Sequence, residues 1–215
     1  PYEIDLILQT VDLKNALGVR DYCLLQLLYD SGARATEIAT LNLDYFNAHN
    51  KTLAILGKGN RFRQIKLESK TVRLITVYIG KYRIDPKPAY QHRLFINQCG
   101  NQLTRHGIYR LCKKYLQMAL PPKRLKDINP VHSFRHSCAV KMLTDGHSVS
   151  DIRNRLGHED IQSTSVYLQL DLSKRKMIQQ QFIQHVQSNV MQNPEIEELI
   201  DWQNKDDIMA WLDDL

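Results

Sequence analysis

The chain has 215 residues, 43% hydrophobic and 24% charged, a balance typical of one folded domain with an appendage rather than of a disordered chain. No apolar run approaches the roughly 20 residues that span a bilayer, and the first residues lack the layout of a signal peptide, so we expect a cytoplasmic protein with no membrane partner. Four cysteines stand singly in apolar segments, which argues against a zinc ribbon or a disulfide framework and predicts reduced core residues.

The net charge of +6 is distributed unevenly. From Pro194 onward there are eight acidic residues and one basic residue, so this segment carries −7 and residues 1–193 carry +13. A body this basic suits a polyanion such as DNA, whose phosphates favour neutralisation by Lys and Arg. Charge alone fits a solvated basic surface with an acidic tail equally well.

The N-terminal third begins with two predicted helices. Because the first residue is proline rather than methionine, we expect a piece of a longer product. Apolar spacing predicts helices over residues 5–11 and 16–29, the second ended by Gly32. Arg34 then opens a short helical turn with Glu37 one turn later. Such a pair is also compatible with a simple surface ion pair.

Between residues 43 and 67 the spacing of apolar residues changes from helical to alternating. Three short alternating runs, separated by turns at 47–50 and 57–60, predict a three-stranded antiparallel sheet. Lys58 lies in the second turn. The turn lacks the leading glycine of a phosphate-cradling P-loop, so nucleotide binding is a poor explanation. A lysine in such a turn is often only solvated.

Helical patterns return at 69–83 and at 104–119. The second helix is basic, and its charged face fits DNA phosphates or solvent equally well. Candidate DNA contacts are the basic residues of this helix and two arginines beside the Lys58 turn. They are Arg61, Arg63, Arg105, Arg110, Lys113 and Lys114.

Polar groups with catalytic potential are concentrated in residues 131–170. His132 and Arg135 are three positions apart on a helix, so they share one face. A second helix ends at Gly157, with His158 directly after it. Tyr167 follows nine residues later on a further helical segment, and a last helix is predicted to continue to about residue 188.

The order His-x-x-Arg, Leu-Gly-His, Tyr resembles the tyrosine recombinase (phage integrase) family. Members also carry an arginine in a Gly-x-Arg-x-x-Glu setting and a lysine in a β-turn, which here are Arg34 and Lys58. Four motifs in one order over residues 32–167 carry the specificity of the resemblance.

The resemblance implies an α+β, mainly α catalytic fold with a small three-stranded antiparallel sheet. We expect residues 1–188 to form this domain and residues 189–215 to form an acidic tail, an amphipathic helix that packs in cis or in trans. The tail is also suited to cover the basic DNA surface. The implied partner is double-stranded DNA, bound by a homotetramer. Free protein is expected to be monomeric. Family members usually carry an N-terminal DNA-binding domain as well, so we expect a catalytic domain alone to bind DNA weakly or to depend on that part.

The resemblance also assigns the chemistry. Tyr167 is the expected nucleophile, since a phenol attacks once its proton is removed. Arg34 and Arg135 hold the phosphate oxygens, because guanidinium groups stay charged and donate in pairs. His132 is the expected general base and Lys58 the general acid, while His158 adds a donor. The implied product is a 3′-phosphotyrosine linkage, formed without metal, ATP or another cofactor in a bacterial, phage or mobile-element context.

Other interpretations remain open. A type IB topoisomerase uses the same chemistry on one duplex, and a DNA-binding protein that has lost catalysis is the non-enzyme alternative. His132 and His136 have a spacing that can bind zinc, but the sequence offers no evident third ligand, so we expect no metal site. The remaining histidines, among them His106, show no partner pattern and are expected to be incidental.

Overall fold

The computed structural model describes residues 2–126, 128–157 and 180 of the chain. This part of the chain is mainly helical and contains one small sheet, which confirms the predicted fold class. The helices are α1 (Tyr2–Gln9), α2 (Ala16–Ser31), α3 (Ala35–Ala39), α4 (Ser69–Val77), α5 (Arg105–Ala119), α6 (Pro122–Leu125), α7 (Pro130–Thr144) and α8 (Val149–Leu156). The strands are β1 (Phe46–Asn47), β2 (Thr52–Leu56) and β3 (Phe62–Lys66).

The core is built around α2. Asn15 caps the start of this helix by accepting a 2.8 Å hydrogen bond from the Gly18 N–H. The middle of the helix is buried on nearly every side, and α1, α4 and α7 pack against it. Four of its leucines are fully buried, each contributing about 1.5–3 kcal/mol of hydrophobic stabilisation. They are Leu24, Leu25, Leu27 and Leu28.

The sheet has the order β1-β2-β3, with β2 antiparallel to both neighbours. Leu53 pairs with Ile65, and burial alternates along β2 so that Leu53 and Ile55 face the core. The predicted three-stranded sheet is therefore confirmed. Its first strand is shorter than the alternation suggests, because residues Leu43–Tyr45 form a 3₁₀ turn. The Leu43 N–H instead donates to the His92 carbonyl at 2.8 Å.

Helices α7 and α8 form a smaller apolar cluster of Ala139, Leu143, Ile152 and Leu156. Gly157 ends α8 in the left-handed conformation with φ of 65°, so the predicted glycine cap is found. Gly32 ends α2 in the same way with φ of 62°. A Cβ at Gly32 would overlap the Leu156 side chain, so this glycine allows α2 and α8 to approach closely.

The remaining sequence expectations are met in part. The helix predicted at 69–83 is α4 followed by a π-helical turn at Tyr78–Tyr82. All four cysteines are free and three of them are buried, but Cys99 is exposed, contrary to the expectation of a core residue. Its N–H donates to the Asn97 side chain in a surface turn, which places its side chain outside the core. No helix within the described ranges is long and apolar enough to cross a membrane.

Candidate active site

Arg34 lies at the start of α3, where Glu37 holds it by two contacts. The Arg34 N–H donates to Oε2 of Glu37 at 2.8 Å, and its Nη1 donates to Oε1 at 3.1 Å. The carboxylate is almost fully buried, whereas 41% of the Arg34 side chain remains exposed. The pair is thus more than a surface ion pair: a buried anion orients an arginine whose side chain remains partly exposed.

Glu37 is also bound by Arg63, which lies on β3. Nη1 and Nη2 of Arg63 donate to the two carboxylate oxygens at 2.9 and 2.8 Å. Burial alone would raise the pKa of Glu37. The hydrogen bonds from Arg63 and from the Arg34 N–H, together with both guanidinium charges, outweigh burial and hold this pKa below its usual value. Glu37 is therefore a carboxylate shared by two arginines.

Arg135 is buried on α7, with 6% of its surface exposed. Its Nη1 donates to the Gly32 carbonyl at 2.6 Å and its Nη2 donates to the Leu156 carbonyl at 2.7 Å. These acceptors belong to the ends of α2 and α8. The side chain therefore links the Gly-x-Arg motif to the Leu-Gly-His motif through backbone carbonyls.

Arg155 fixes the other side of α8. Its Nη2 forms an ion pair of 2.6 Å with Asp30, a buried carboxylate near the end of α2. Its Nη1 donates to the Lys66 carbonyl at the end of β3 at 2.9 Å. One side chain thus connects α2, β3 and α8.

A cleft of about 430 Å³ opens between α3, α5 and the start of α7. Of the predicted catalytic residues, Arg34, His132 and Arg135 line it, together with Arg105 from the predicted DNA contacts. None of the described lining residues is acidic. Three guanidinium groups and two imidazole-bearing side chains around one concave surface favour an anion such as a phosphate.

His132 stands in the first turn of α7. Pro130 begins this helix, and the Asn129 side chain accepts a hydrogen bond from the His132 N–H at 3.3 Å. The cap fixes the direction in which the helix leaves the preceding loop. His132 is exposed beside the cleft, whereas Arg135, one turn later, is buried at its floor.

The predicted DNA contacts on α5 differ in their surroundings. Arg105 lines the cleft, and Lys113, about two turns later, lines a smaller pocket of about 210 Å³. Arg110 and Lys114 line neither of these two pockets. Nζ of Lys114 lies 4.7 Å from the centre of the Tyr115 ring, in a cation–π contact. All four basic side chains are exposed.

Two residues of the cleft were missed by sequence reasoning. His106, expected to be incidental, and Tyr109 both line it from α5. The only signal for them is the helical spacing of Arg105, His106 and Tyr109, which places them near one another on α5. That spacing does not reveal that α3 and α7 lie opposite.

The structure describes the other predicted catalytic residues only in part or not at all. Lys58 begins the 3₁₀ turn between β2 and β3, as predicted, but the structure describes only its backbone. His158 and Tyr167 lie outside the described residues, as does the acidic tail. Of the two arginines beside the Lys58 turn, Arg61 is exposed and Arg63 is turned inward to Glu37.

Sequence comparison supplies a family and relatives for this arrangement. The model of the phage integrase family matches residues 1–174. The tyrosine recombinase XerD of Staphylococcus epidermidis is 33% identical over 181 residues, which are 84% of this chain and 60% of that relative. The chain is therefore similar to this recombinase but spans only about 60% of its length.

Two solved structures share the fold. The XerH recombinase bound to a palindromic difH substrate, in a post-cleavage complex, has a TM-score of 0.69 and 21% identity, over 82% of this chain and 50% of that one. The Tn1549 transposon integrase in complex with circular intermediate DNA has a TM-score of 0.62 and 21% identity, over 78% and 59% respectively. Since the family model covers most of the chain, this protein belongs to the phage integrase family of tyrosine recombinases.

Proposed function

We propose that the chain is the catalytic part of a site-specific DNA recombinase or integrase, which cleaves and rejoins strands through a 3′-phosphotyrosine intermediate. The observation that carries this proposal is the cleft in which Arg34, His132 and Arg135 meet, although about a hundred positions separate the first from the other two. None of the described residues that line the cleft is acidic, which suits the negative charge of a phosphodiester. Membership of the tyrosine recombinase family supports the same reaction.

In the proposed reaction the phosphate is held in the cleft. Arg34 and Arg135 stabilise the negative charge that develops on the nonbridging oxygens, and His158 adds a further donor. The Arg34 side chain is partly exposed beside Glu37. Arg135 lines the cleft from α7, where a hydrogen bond to the Gly32 carbonyl holds its side chain. Because both guanidinium groups are preorganised by protein contacts, little reorganisation is needed when the charge develops.

The covalent step exchanges one phosphate ester for another. The Tyr167 oxygen attacks phosphorus as His132 accepts the phenol proton, and the bond to the 5′ oxygen breaks. Lys58 donates a proton to that leaving oxygen. A 5′ hydroxyl from another strand reverses the step. The phosphotyrosine linkage retains the bond energy, so the proposal requires neither a metal ion nor ATP.

The proposed partner is double-stranded DNA. The exposed side chains of Arg105 and Lys113 line two successive pockets along α5, a path suited to a phosphate backbone. Arg61, Arg110 and Lys114 are further exposed candidates. The structures of XerH and of the Tn1549 integrase are both DNA complexes, which supports a DNA partner. A tetramer on DNA that is monomeric when free completes the proposal.

The cellular setting is proposed from the relatives. XerD of Staphylococcus epidermidis is bacterial and the Tn1549 integrase belongs to a transposon, which supports a cytoplasmic protein of a bacterium or mobile element. We place the catalytic domain at residues 1–188 and the acidic tail at 189–215. If the tail covers the basic surface, deletion of residues 194–215 strengthens DNA binding, and unchanged binding excludes that role.

Covalent trapping tests the proposed reaction. The full chain is incubated with a pool of nicked suicide duplexes of randomised sequence, and DNA-linked protein is separated under denaturing conditions. A linked product is expected from the wild type and not from Tyr167→Phe, whose DNA binding is retained. No linked product from the wild type, or an equal yield from Tyr167→Phe, contradicts the proposal.

A two-site reaction separates strand exchange from cleavage of a single duplex. Duplexes selected by trapping are built into two plasmids of different length, and the products are sized after incubation. A recombinase yields hybrid molecules. Relaxation of supercoils without hybrids identifies a topoisomerase instead.

A further inference from the structure

The end of α8, directly before His158, is held by three arginines from three different elements. Nε of Arg63 donates to the Arg155 carbonyl at 3.0 Å. Nη2 of Arg135 donates to the Leu156 carbonyl at 2.7 Å, and Nη2 of Arg34 contacts the Gly157 carbonyl at 3.5 Å. Three consecutive carbonyls at the negative end of a helix are thus matched by three positive side chains.

Arg63 is the member of this group that also binds Glu37 through both terminal nitrogens. Its Nε holds α8, and its Nη1 and Nη2 hold both oxygens of Glu37 on α3. Arg63 itself lies on β3, shortly after the turn that begins at Lys58. One planar guanidinium therefore connects the lysine turn, the Arg34 helix and the end of α8.

The Gly157 cap is shaped around this side chain. A Cβ at Gly157 would lie 3.0 Å from Nη1 of Arg63 and 3.2 Å from its Cδ. Only 15% of the Arg63 side chain is exposed. The group is thus enclosed by the site rather than presented to a DNA groove.

We propose that Arg63 is a positioning residue, which acts through Glu37 to set the direction of Arg34. This inference rests on the proposed function and replaces the expectation that Arg63 contacts DNA. Without Arg63, the buried Glu37 keeps only Arg34 as a cationic partner among the contacts described here. The unneutralised carboxylate then draws the Arg34 guanidinium inward, away from the phosphate.

The variant that tests this is Arg63→Met, which keeps the apolar stem and removes the guanidinium. A displacement of about 1 Å in a site of this kind costs up to about 100-fold in rate. The substrate is a duplex selected by covalent trapping, used at saturating concentration. Its single-turnover cleavage rate is therefore expected to fall by about 10- to 100-fold. The Kd for DNA and its salt dependence are expected to stay at wild-type values.

The matched control is Arg20→Met. Arg20 has 11% of its side chain exposed, pairs with the buried Asp21 at 2.6 Å, and donates to the Ile96 carbonyl at 3.1 Å. It resembles Arg63 in contacts, but its described hydrogen bonds reach neither Glu37 nor the end of α8. Its loss is expected to lower the melting temperature and leave the cleavage rate of the folded protein unchanged. If Arg20→Met lowers cleavage as much as Arg63→Met, general destabilisation explains the effect and the proposal is overturned.

A double-mutant cycle with Glu37→Gln tests the route of the effect. If Arg63 acts through Glu37, then Arg63→Met costs less than about twofold in cleavage when Glu37 is already neutral. If the loss of cleavage rate in the double variant equals the product of the two single-variant losses, the proposal is overturned. A weaker Kd with a salt slope reduced by about one, and normal cleavage at saturation, makes Arg63 a phosphate contact instead.

The trapping experiment distinguishes an error in the proposed function from an error in this inference. The absence of any covalent product from wild-type protein overturns the recombinase assignment and the inference with it. A normal product from the wild type, matched by Arg63→Met in rate and amount, overturns the inference alone.

Discussion

Arg135 donates a 2.6 Å hydrogen bond to the carbonyl of Gly32, a residue 103 positions earlier in the chain. A second donor of the same guanidinium reaches the Leu156 carbonyl at 2.7 Å. The residue proposed to bind phosphate is thus also the link that holds two distant motifs in register. Its charge and its forked shape are both in use, since each of its two terminal nitrogens donates to a carbonyl on a different helix.

The first prediction concerns Arg135→Lys. Lysine keeps the charge but lacks the planar fork, so we expect at least one of the two carbonyls to lose its donor. Each buried carbonyl left unsatisfied costs about 1–3 kcal/mol. We expect a lower melting temperature and a cleavage rate reduced by about 100-fold or more, the loss typical of a missing oxyanion donor. Calorimetry and single-turnover cleavage measure the two effects. Wild-type cleavage by Arg135→Lys would show that charge alone is sufficient.

The second prediction concerns the glycine between α2 and α3. A Cβ at Gly32 overlaps the Leu156 side chain, and φ of 62° is unfavourable for alanine. Overpacking of this kind typically costs about 1–3 kcal/mol, so Gly32→Ala is expected to lower the free energy of unfolding by that amount. Gly80 is the control, because no atom lies within 4 Å of the position of its Cβ. Urea unfolding compares the variants, and an equal loss at both glycines would contradict the packing argument.

The third prediction is the acid dependence of Glu37. Its pKa is held below the usual value, so its stabilising contribution is present at neutral pH and is lost as pH falls through the folded-state pKa. Glu37→Gln leaves two guanidinium groups without their anion and is expected to cost about 3 kcal/mol at neutral pH. The difference from wild type should shrink as pH falls below the usual value of 4.5.

Asp44→Asn is the control for that experiment, because Asp44 is an exposed carboxylate. Denaturant unfolding across the acid range gives the free energy of each variant. The wild-type advantage over Glu37→Gln should close with acid, while Asp44→Asn follows the wild type throughout. A constant gap between wild type and Glu37→Gln would show that the carboxylate charge contributes nothing.

Particular residues show how far the sequence predicts the site. Motif order and spacing grouped Arg34, His132 and Arg135, and the structure brings these three residues to one cleft. The turn of Lys58 lies between β2 and β3, as predicted. Glycine caps at Gly32 and Gly157 were predicted because the left-handed conformation has a local sequence signal.

The surroundings of the site were not predictable in the same way. Arg61 and Arg63 occupy alternate positions near one strand, yet one is exposed and the other is bound to a carboxylate 26 positions earlier. Periodicity carries no information about such a distant partner. His106 was missed for the same reason, since the cleft beside it is formed by helices from other parts of the chain.

The fourth prediction concerns DNA affinity. Arg105→Gln and Lys113→Gln each remove one exposed charge from the face of α5 that adjoins the cleft and the next pocket. Each is expected to weaken binding for all sequences and to reduce the salt slope of log Kd by about one. Arg73→Gln is the control, since Arg73 is exposed on α4, which supplies none of the described lining residues. Equal effects from all three variants would indicate that only net charge matters.

The measurement that tests the central claim most directly is the identity of the residue that becomes linked to DNA. Trapped protein is digested with trypsin and nuclease, and the modified peptide is sequenced by mass spectrometry. The account predicts a phosphonucleotide on Tyr167, within the tryptic peptide of residues 156–174, which contains no other tyrosine. Linkage to any other of the ten tyrosines, or no linkage at all, would contradict it.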